Sequence, residues 1–92
     1  MSIVIIGGND RMATRYKEVC KAYRHKAKVF TQMGADFDGK IGTPDMFVLF
    51  TDTVSHKMTL TVKKKAMKEQ IPLVVAHSAS LNSLKNLHEQ HK

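Results

Sequence analysis

Ile3 to Ile6 and Met46 to Phe50 are apolar without interruption, and each run stops abruptly at polar residues. Gly7-Gly8-Asn9-Asp10 closes the first and Thr51-Asp52-Thr53 closes the second. A strand with no polar alternation has no face to show to water, so it belongs in the middle of a sheet covered on both sides. In a small domain that means parallel strands with helices laid over both faces.

The segments between these runs fit that frame. Met12, Tyr16, Val19 and Tyr23 recur at helical spacing, which predicts a helix from about Asp10 to His25 with Cys20 beside its apolar stripe. Arg15, Lys17, Lys21 and Arg24 take its other surfaces. Ala27 to Gln32 reads as a second strand. Met33 to Pro44, with Gly34, Gly39, Gly42 and Pro44, is long enough to cross the sheet and holds one helical turn near Asp36 to Ile41. Thr51-Asp52-Thr53 offers capping side chains to a helix that runs to about Gln70, with Val54, Met58, Val62 and Ala66 on its inner side. Leu60 and Met67 fall nearly opposite, as ordinary exposed apolar residues or as part of a subunit contact. Pro72 to Ala76 is a fourth strand, and its leading proline suits an edge. Ser78 or Ser80 then caps a last helix carrying Leu81, Leu84 and Leu87.

Strand and helix thus alternate four times. Right-handed crossovers with the two all-apolar strands at the centre predict an α/β fold. It is a small open four-stranded parallel sheet, order 2-1-3-4, with helices on both faces, Rossmann-like, in one domain over residues 1–92.

Length and charge narrow the function classes. A chain of 92 residues buries only roughly 60–65% of its unfolded surface, so a homo-oligomer such as a homodimer is expected to help it. No run approaches the roughly 18 apolar residues of a membrane span, so no membrane partner is expected. The first apolar run lacks the basic flank and cleavage site of a signal peptide, and Cys20 is the single cysteine; both point to the cytoplasm. A net charge of +7 favours anionic partners, although a soluble basic surface with no partner has the same composition.

In an open parallel sheet a ligand sits beyond the carboxyl ends of the strands, where the strand order reverses. Here that places Gly7, Gly8, Asn9, Asp10 and Arg11 opposite Thr51, Asp52, Thr53, Ser55 and His56, with His77, Ser78 and Ser80 beside them. Three helix N-termini would aim their amides there, the glycines would let a ligand approach the backbone, and Arg11 would add a charged fork. Such a site favours phosphate or carboxylate. Each residue also has an ordinary structural role: Gly-Gly as a turn, Asp10 and Asp52 as caps, His56 as an exposed first-turn residue, His77 as packing. His56 and His77 leave neighbouring strands at one edge. Together with Asp52 they are a candidate divalent-metal set, and singly they are candidate axial ligands to haem iron, although their spacing matches no zinc pattern.

Several chemistries are disfavoured. Gly7-Gly8-Asn9-Asp10-Arg11-Met12 lacks the third glycine of a dinucleotide fingerprint and the Gly-Lys-Ser/Thr ending of a P-loop. There is no Gly-x-Ser-x-Gly elbow and no Cys-x-x-Cys-His haem attachment. Cys20 reads as a buried structural thiol. Lys63-Lys64-Lys65 with Lys68 is the densest charge run, either a solvated helix face or a phosphate-contacting patch for nucleic acid, without interleaved aromatics.

Ile3-Val-Ile-Ile-Gly-Gly-Asn-Asp-Arg-Met12, Lys28-Val-Phe-Thr-Gln-Met33, Val48-Leu-Phe-Thr-Asp-Thr-Val-Ser-His-Lys-Met58 and His77-Ser78 together resemble a small bacterial family catalogued as domain of unknown function 2325. The likeness covers nearly the whole chain, and Thr-Asp-x-Val-Ser-His is its most specific part. The resemblance implies a short cytoplasmic bacterial protein. It supplies no settled activity and carries an association with haem.

The leading expectation is a ligand-binding or sensing module, non-enzymatic, holding a small anion or cofactor of unknown identity at the carboxyl edge. Its alternatives are non-covalent haem binding through His56 or His77, as a dimer, and nucleic-acid binding through the lysine-rich helix. An enzyme would need Asp52 and His56 as an acid/base pair on one helix face, and no nucleophile completes that picture.

Overall fold

The computed structural model of the chain describes residues 1–32, 34–77, 82 and 85. In chain order the elements are β1 (Ser2–Ile6), α1 (Ala13–Ala22), β2 (Lys26–Phe30), α2 (Phe37–Ile41), β3 (Met46–Phe50), α3 (His56–Glu69) and β4 (Leu73–Ala76). A single 3-10 turn, Asp10–Met12, leads into α1. All strands pair in parallel in the order β2-β1-β3-β4, as the sequence predicts. The central pair is registered Ile3↔Met46 through Ile6↔Leu49.

Strand alternation divides the core into two layers. Ile3, Ile5, Met46, Val48 and Phe50 face α1, where they meet Tyr16 and Cys20. Val4, Ile6, Phe47 and Leu49 face the other way, onto Phe37 and Ile41 of α2 and Met58, Val62 and Ala66 of α3. Every residue of β3 is buried, which is why none of them is polar. Each large side chain moved from water into such a layer contributes roughly 1.5–3 kcal/mol. Tilted packing of Tyr16 on Phe50 (centroids 5.6 Å apart) ties α1 to the end of β3. An edge-on contact between Phe30 and Phe37 (5.7 Å) ties β2 to α2.

Element ends differ from the sequence reading for local reasons. Helix α1 stops at Ala22 rather than His25, because Arg24 takes the left-handed conformation (φ 64°) and the His25 amide bonds back to the Cys20 carbonyl. Strand β2 covers Lys26–Phe30 rather than Ala27–Gln32. Thr31 and Gln32 leave the ladder to hydrogen-bond the Asp10 carboxylate. The cap of α3 is Ser55, whose hydroxyl accepts from the Met58 amide, and not any of Thr51, Asp52 or Thr53. Its end at Gln70 is again left-handed (φ 55°), with Ile71 bonded to the Ala66 carbonyl. The expected last helix, with Leu81, Leu84 and Leu87, lies outside the described residues.

Cys20, on the inner side of α1, is fully buried, and burial pushes its thiol up from the ordinary 9.0 to about 11. The thiol is therefore protonated at neutral pH, as a structural cysteine should be. The stability this group contributes is complete below about pH 9 and disappears as the pH climbs towards about 11. Burial of Tyr16 acts in the same direction, since its hydroxyl is also raised. Denaturant titrations from pH 8 to 11 should thus show falling stability, with a shallower fall in Cys20→Ala. Native protein at pH 8 should react with a thiol reagent only as fast as it opens.

Candidate functional site

Parallel pairing delivers the carboxyl ends of all strands to one rim, and the turns after β1 and β3 meet there directly. The Gly8 amide donates to Thr53 Oγ1 at 2.6 Å. At the next junction the Thr51 amide bonds to the Ala76 carbonyl at 2.9 Å, and Thr51 Oγ1 lies 3.4 Å from His77 Nδ1. Asn9 caps the 3-10 turn by accepting the Arg11 amide at 2.9 Å. Asp10 takes hydrogen bonds from Thr31 and Gln32, which locks the first turn to the end of β2. The segments after Ile6, Phe50 and Ala76 therefore share one edge of the sheet.

The glycines earn their place through the protein's own packing. Gly7 (φ +104°) and Gly8 (φ +87°) occupy backbone conformations that other residues resist. A Cβ on Gly7 would come within 2.7 Å of Val54 Cγ1, and one on Gly8 within 2.6 Å of the Tyr16 ring. Packing within the protein thus accounts for the absence of side chains at both positions. The neighbours on that side are Val54, Thr53 and Tyr16, and the Gly8 amide is already held by Thr53.

Tyr16 is the site residue that periodicity missed. It sits on the apolar stripe of α1, yet its hydroxyl lies under Gly8 at the rim. Burial raises its pKa, a backbone hydrogen bond at Asn9 opposes the shift, and the negative charge of Asp52 adds to it. A tyrosine in place of phenylalanine on that stripe was the available signal. Thr31 and Gln32, directly after β2, carry a similar signal.

Asn9, Asp10, Arg11, Thr51, Asp52, Thr53, Ser55, His56 and His77 are all exposed, so the rim is an open polar surface. Ser78 lies outside the described residues. His56 is the first residue of α3, whereas Asp52 sits in the turn before Ser55. Asp52 and His56 therefore do not share a first helical turn, the arrangement in which an acid/base pair on one helix face was expected. Among the described residues no three of His, Cys, Asp and Glu gather into a group that could hold a metal ion. His56, His77 and Asp52 thus do not make the divalent-metal set considered from sequence. Of the three expected helix N-termini, α3 begins at the rim, α1 is entered through the 3-10 turn, and the last lies outside the described residues.

Two open clefts among the described residues lie away from the rim. One of about 550 Å³ runs along α1 between Arg15, Val19, Tyr23 and Lys85. Another, of about 330 Å³, separates α2 from α3 between Asp38, Thr61, Lys64, Lys65 and Lys68.

Residues 2–91 match the model of a family described as an uncharacterized protein conserved in bacteria (DUF2325). No curated protein matches. Among solved structures, a de novo designed Rossmann fold protein is similar at 15% identity, with 98% of this chain and 96% of that chain covered and a TM-score of 0.65. At that identity the likeness concerns the fold alone.

Gly8→Ala should test the closure of the rim. The substitution sets a methyl group against the Tyr16 ring and keeps a positive φ, so a loss of about 2–3 kcal/mol is expected in urea denaturation. Gly34→Ala, where a Cβ meets nothing within 4 Å, should change stability by less than about 1 kcal/mol.

Proposed function

We propose that this chain, which belongs to the bacterial family whose model spans residues 2–91, is a small-molecule-binding or sensing module, non-enzymatic, that takes a small anionic ligand at the carboxyl ends of β1 and β3. One observation carries the reading: the 2.6 Å bond from Gly8 to Thr53 joins the two turns at the point where strand order reverses. That crevice is where open α/β sheets bind ligands. Arg11, His56 and the capped start of α3 supply positive or hydrogen-bonding character around it. A ligand oxygen arriving there competes with the Thr53 hydroxyl for the Gly8 amide. Binding therefore exchanges one hydrogen bond for another, and the affinity comes from Arg11 and the surrounding amides.

The test is a titration of the ¹⁵N-labelled protein, in phosphate-free buffer, with inorganic phosphate, citrate and a nucleoside triphosphate in turn. The expected result is a saturable shift of amides within residues 7–11 and 51–56 for at least one of them. Arg11→Ala should weaken that binding by about tenfold or more, the cost of a charge-assisted hydrogen bond of ~1.5–3 kcal/mol. Folded protein whose rim amides stay unmoved across all three probes would defeat the reading.

A second reading rests on the Thr51–His77 contact. Holding Nδ1 of an imidazole by a hydrogen bond is how proteins orient Nε2 towards a metal. His77, or His56 at the start of α3, would then be an axial ligand to non-covalent haem iron. The described rim is polar, so the porphyrin would need an apolar cover from a second copy of the chain. Hemin titration should in that case give a Soret shift at one haem per two chains that His77→Ala or His56→Ala abolishes. A spectrum unchanged by both substitutions excludes these ligands.

A further inference from the structure

Helix α3 has two working faces. Met58, Val62 and Ala66 point inward and are buried against the sheet. At 3.6 residues per turn, Leu60, Lys64 and Met67 fall on the opposite side, with Lys57 and Lys68 along one flank and Lys63 along the other. Lys57, Lys63, Lys64 and Lys68 are all exposed. So are the two aliphatic residues among them, Leu60 at 44% and Met67 at 82%. Lys65 does not belong to this set: its side chain turns aside to Asp38, 3.8 Å away, and is only 18% exposed. The single acidic residue of the helix is Glu69, at its end.

We propose that this outward face of α3 docks on an anionic phospholipid surface, with Leu60 and Met67 entering the headgroup boundary and Lys57, Lys63, Lys64 and Lys68 ringing them over the lipid phosphates. The pattern is specific to such a surface because it joins two features. Clustered lysines meet anionic headgroups, and exposed aliphatic side chains have an apolar layer to enter. A nucleic acid would use the lysines but has no place for Leu60 and Met67, and the face carries no arginine and no aromatic for stacking. A second copy of the chain would set lysines against lysines. The helix is 14 residues long, about 21 Å, so it lies along a membrane and does not cross it. No helix among the described residues is long and apolar enough for a span, and a surface contact requires none.

The experiment uses the intact chain with Met67→Trp, which supplies the tryptophan the sequence lacks. Vesicles of phosphatidylglycerol and phosphatidylcholine (3:7) at low salt should sediment the protein and shift the tryptophan emission to the blue. Phosphatidylcholine vesicles should do neither. Each of Lys64→Gln and Lys68→Gln should lower partitioning about fivefold (~1 kcal/mol per charge). Leu60→Ser with the native Met67 should also lower it, while circular dichroism shows the fold intact. Raising the salt to about 0.5 M should release most of the protein. No binding to the anionic vesicles would overturn the proposal. It would equally be overturned if a 20-nucleotide oligonucleotide bound more tightly, with Lys64→Gln weakening that complex and Leu60→Ser leaving it unchanged.

Discussion

Burial of β1 and β3 on both faces is the constraint from which the rest of this structure follows. Ile3 to Ile6 and all of β3 expose almost nothing, so each needs a helical layer above and below. With β2 and β4 outside them, the sheet can be connected only by crossovers, α1 on one face and α2 and α3 on the other. Parallel crossovers leave every strand pointing the same way. All the polar turns that end the strands then arrive at one rim, and the candidate site is a by-product of how the apolar strands are hidden.

The rim is held by the same economy. Gly7 and Gly8 turn the chain so closely that Val54, Thr53 and Tyr16 pack against their backbone. Asp10 fastens this turn to Thr31 and Gln32, and Thr51 fastens the next junction to Ala76 and His77. A surface assembled from short turns, each tied to its neighbour, keeps its polar groups in place without a deep cavity. It suits a small, polar, exchangeable ligand better than a large enclosed one, which is the physical ground for preferring an anion to an unassisted porphyrin.

The sheet order and both central strands were legible from the sequence because uninterrupted apolar runs have one economical home. Met46–Phe50 emerges with its expected limits, and β1 contains the whole of the Ile3–Ile6 run. The rim followed from topology. What stayed hidden depends on side chains meeting across long sequence distances. Nothing local says that Thr31 and Gln32 will leave β2 for Asp10, 21 and 22 residues earlier. Nor does it say that Thr53 will take the Gly8 amide 45 residues away. Helix capping misled for a related reason: four polar residues precede α3, and Ser55 wins because it alone sits one residue before the first helical turn. Tyr16 reads as core by its spacing, and its hydroxyl reaches the rim only because Gly8 has no side chain to block it.

Native-state hydrogen exchange, resolved by residue, tests the account at its root. If the doubly covered central pair is the frame on which everything else hangs, the amides of β1 and β3 exchange only through global unfolding. Those of β2 and β4 should then exchange through smaller openings, and the rim turns fastest of all. Protection that is greater in β2 or β4 than in β1 and β3 would contradict this, and with it the origin assigned to the rim.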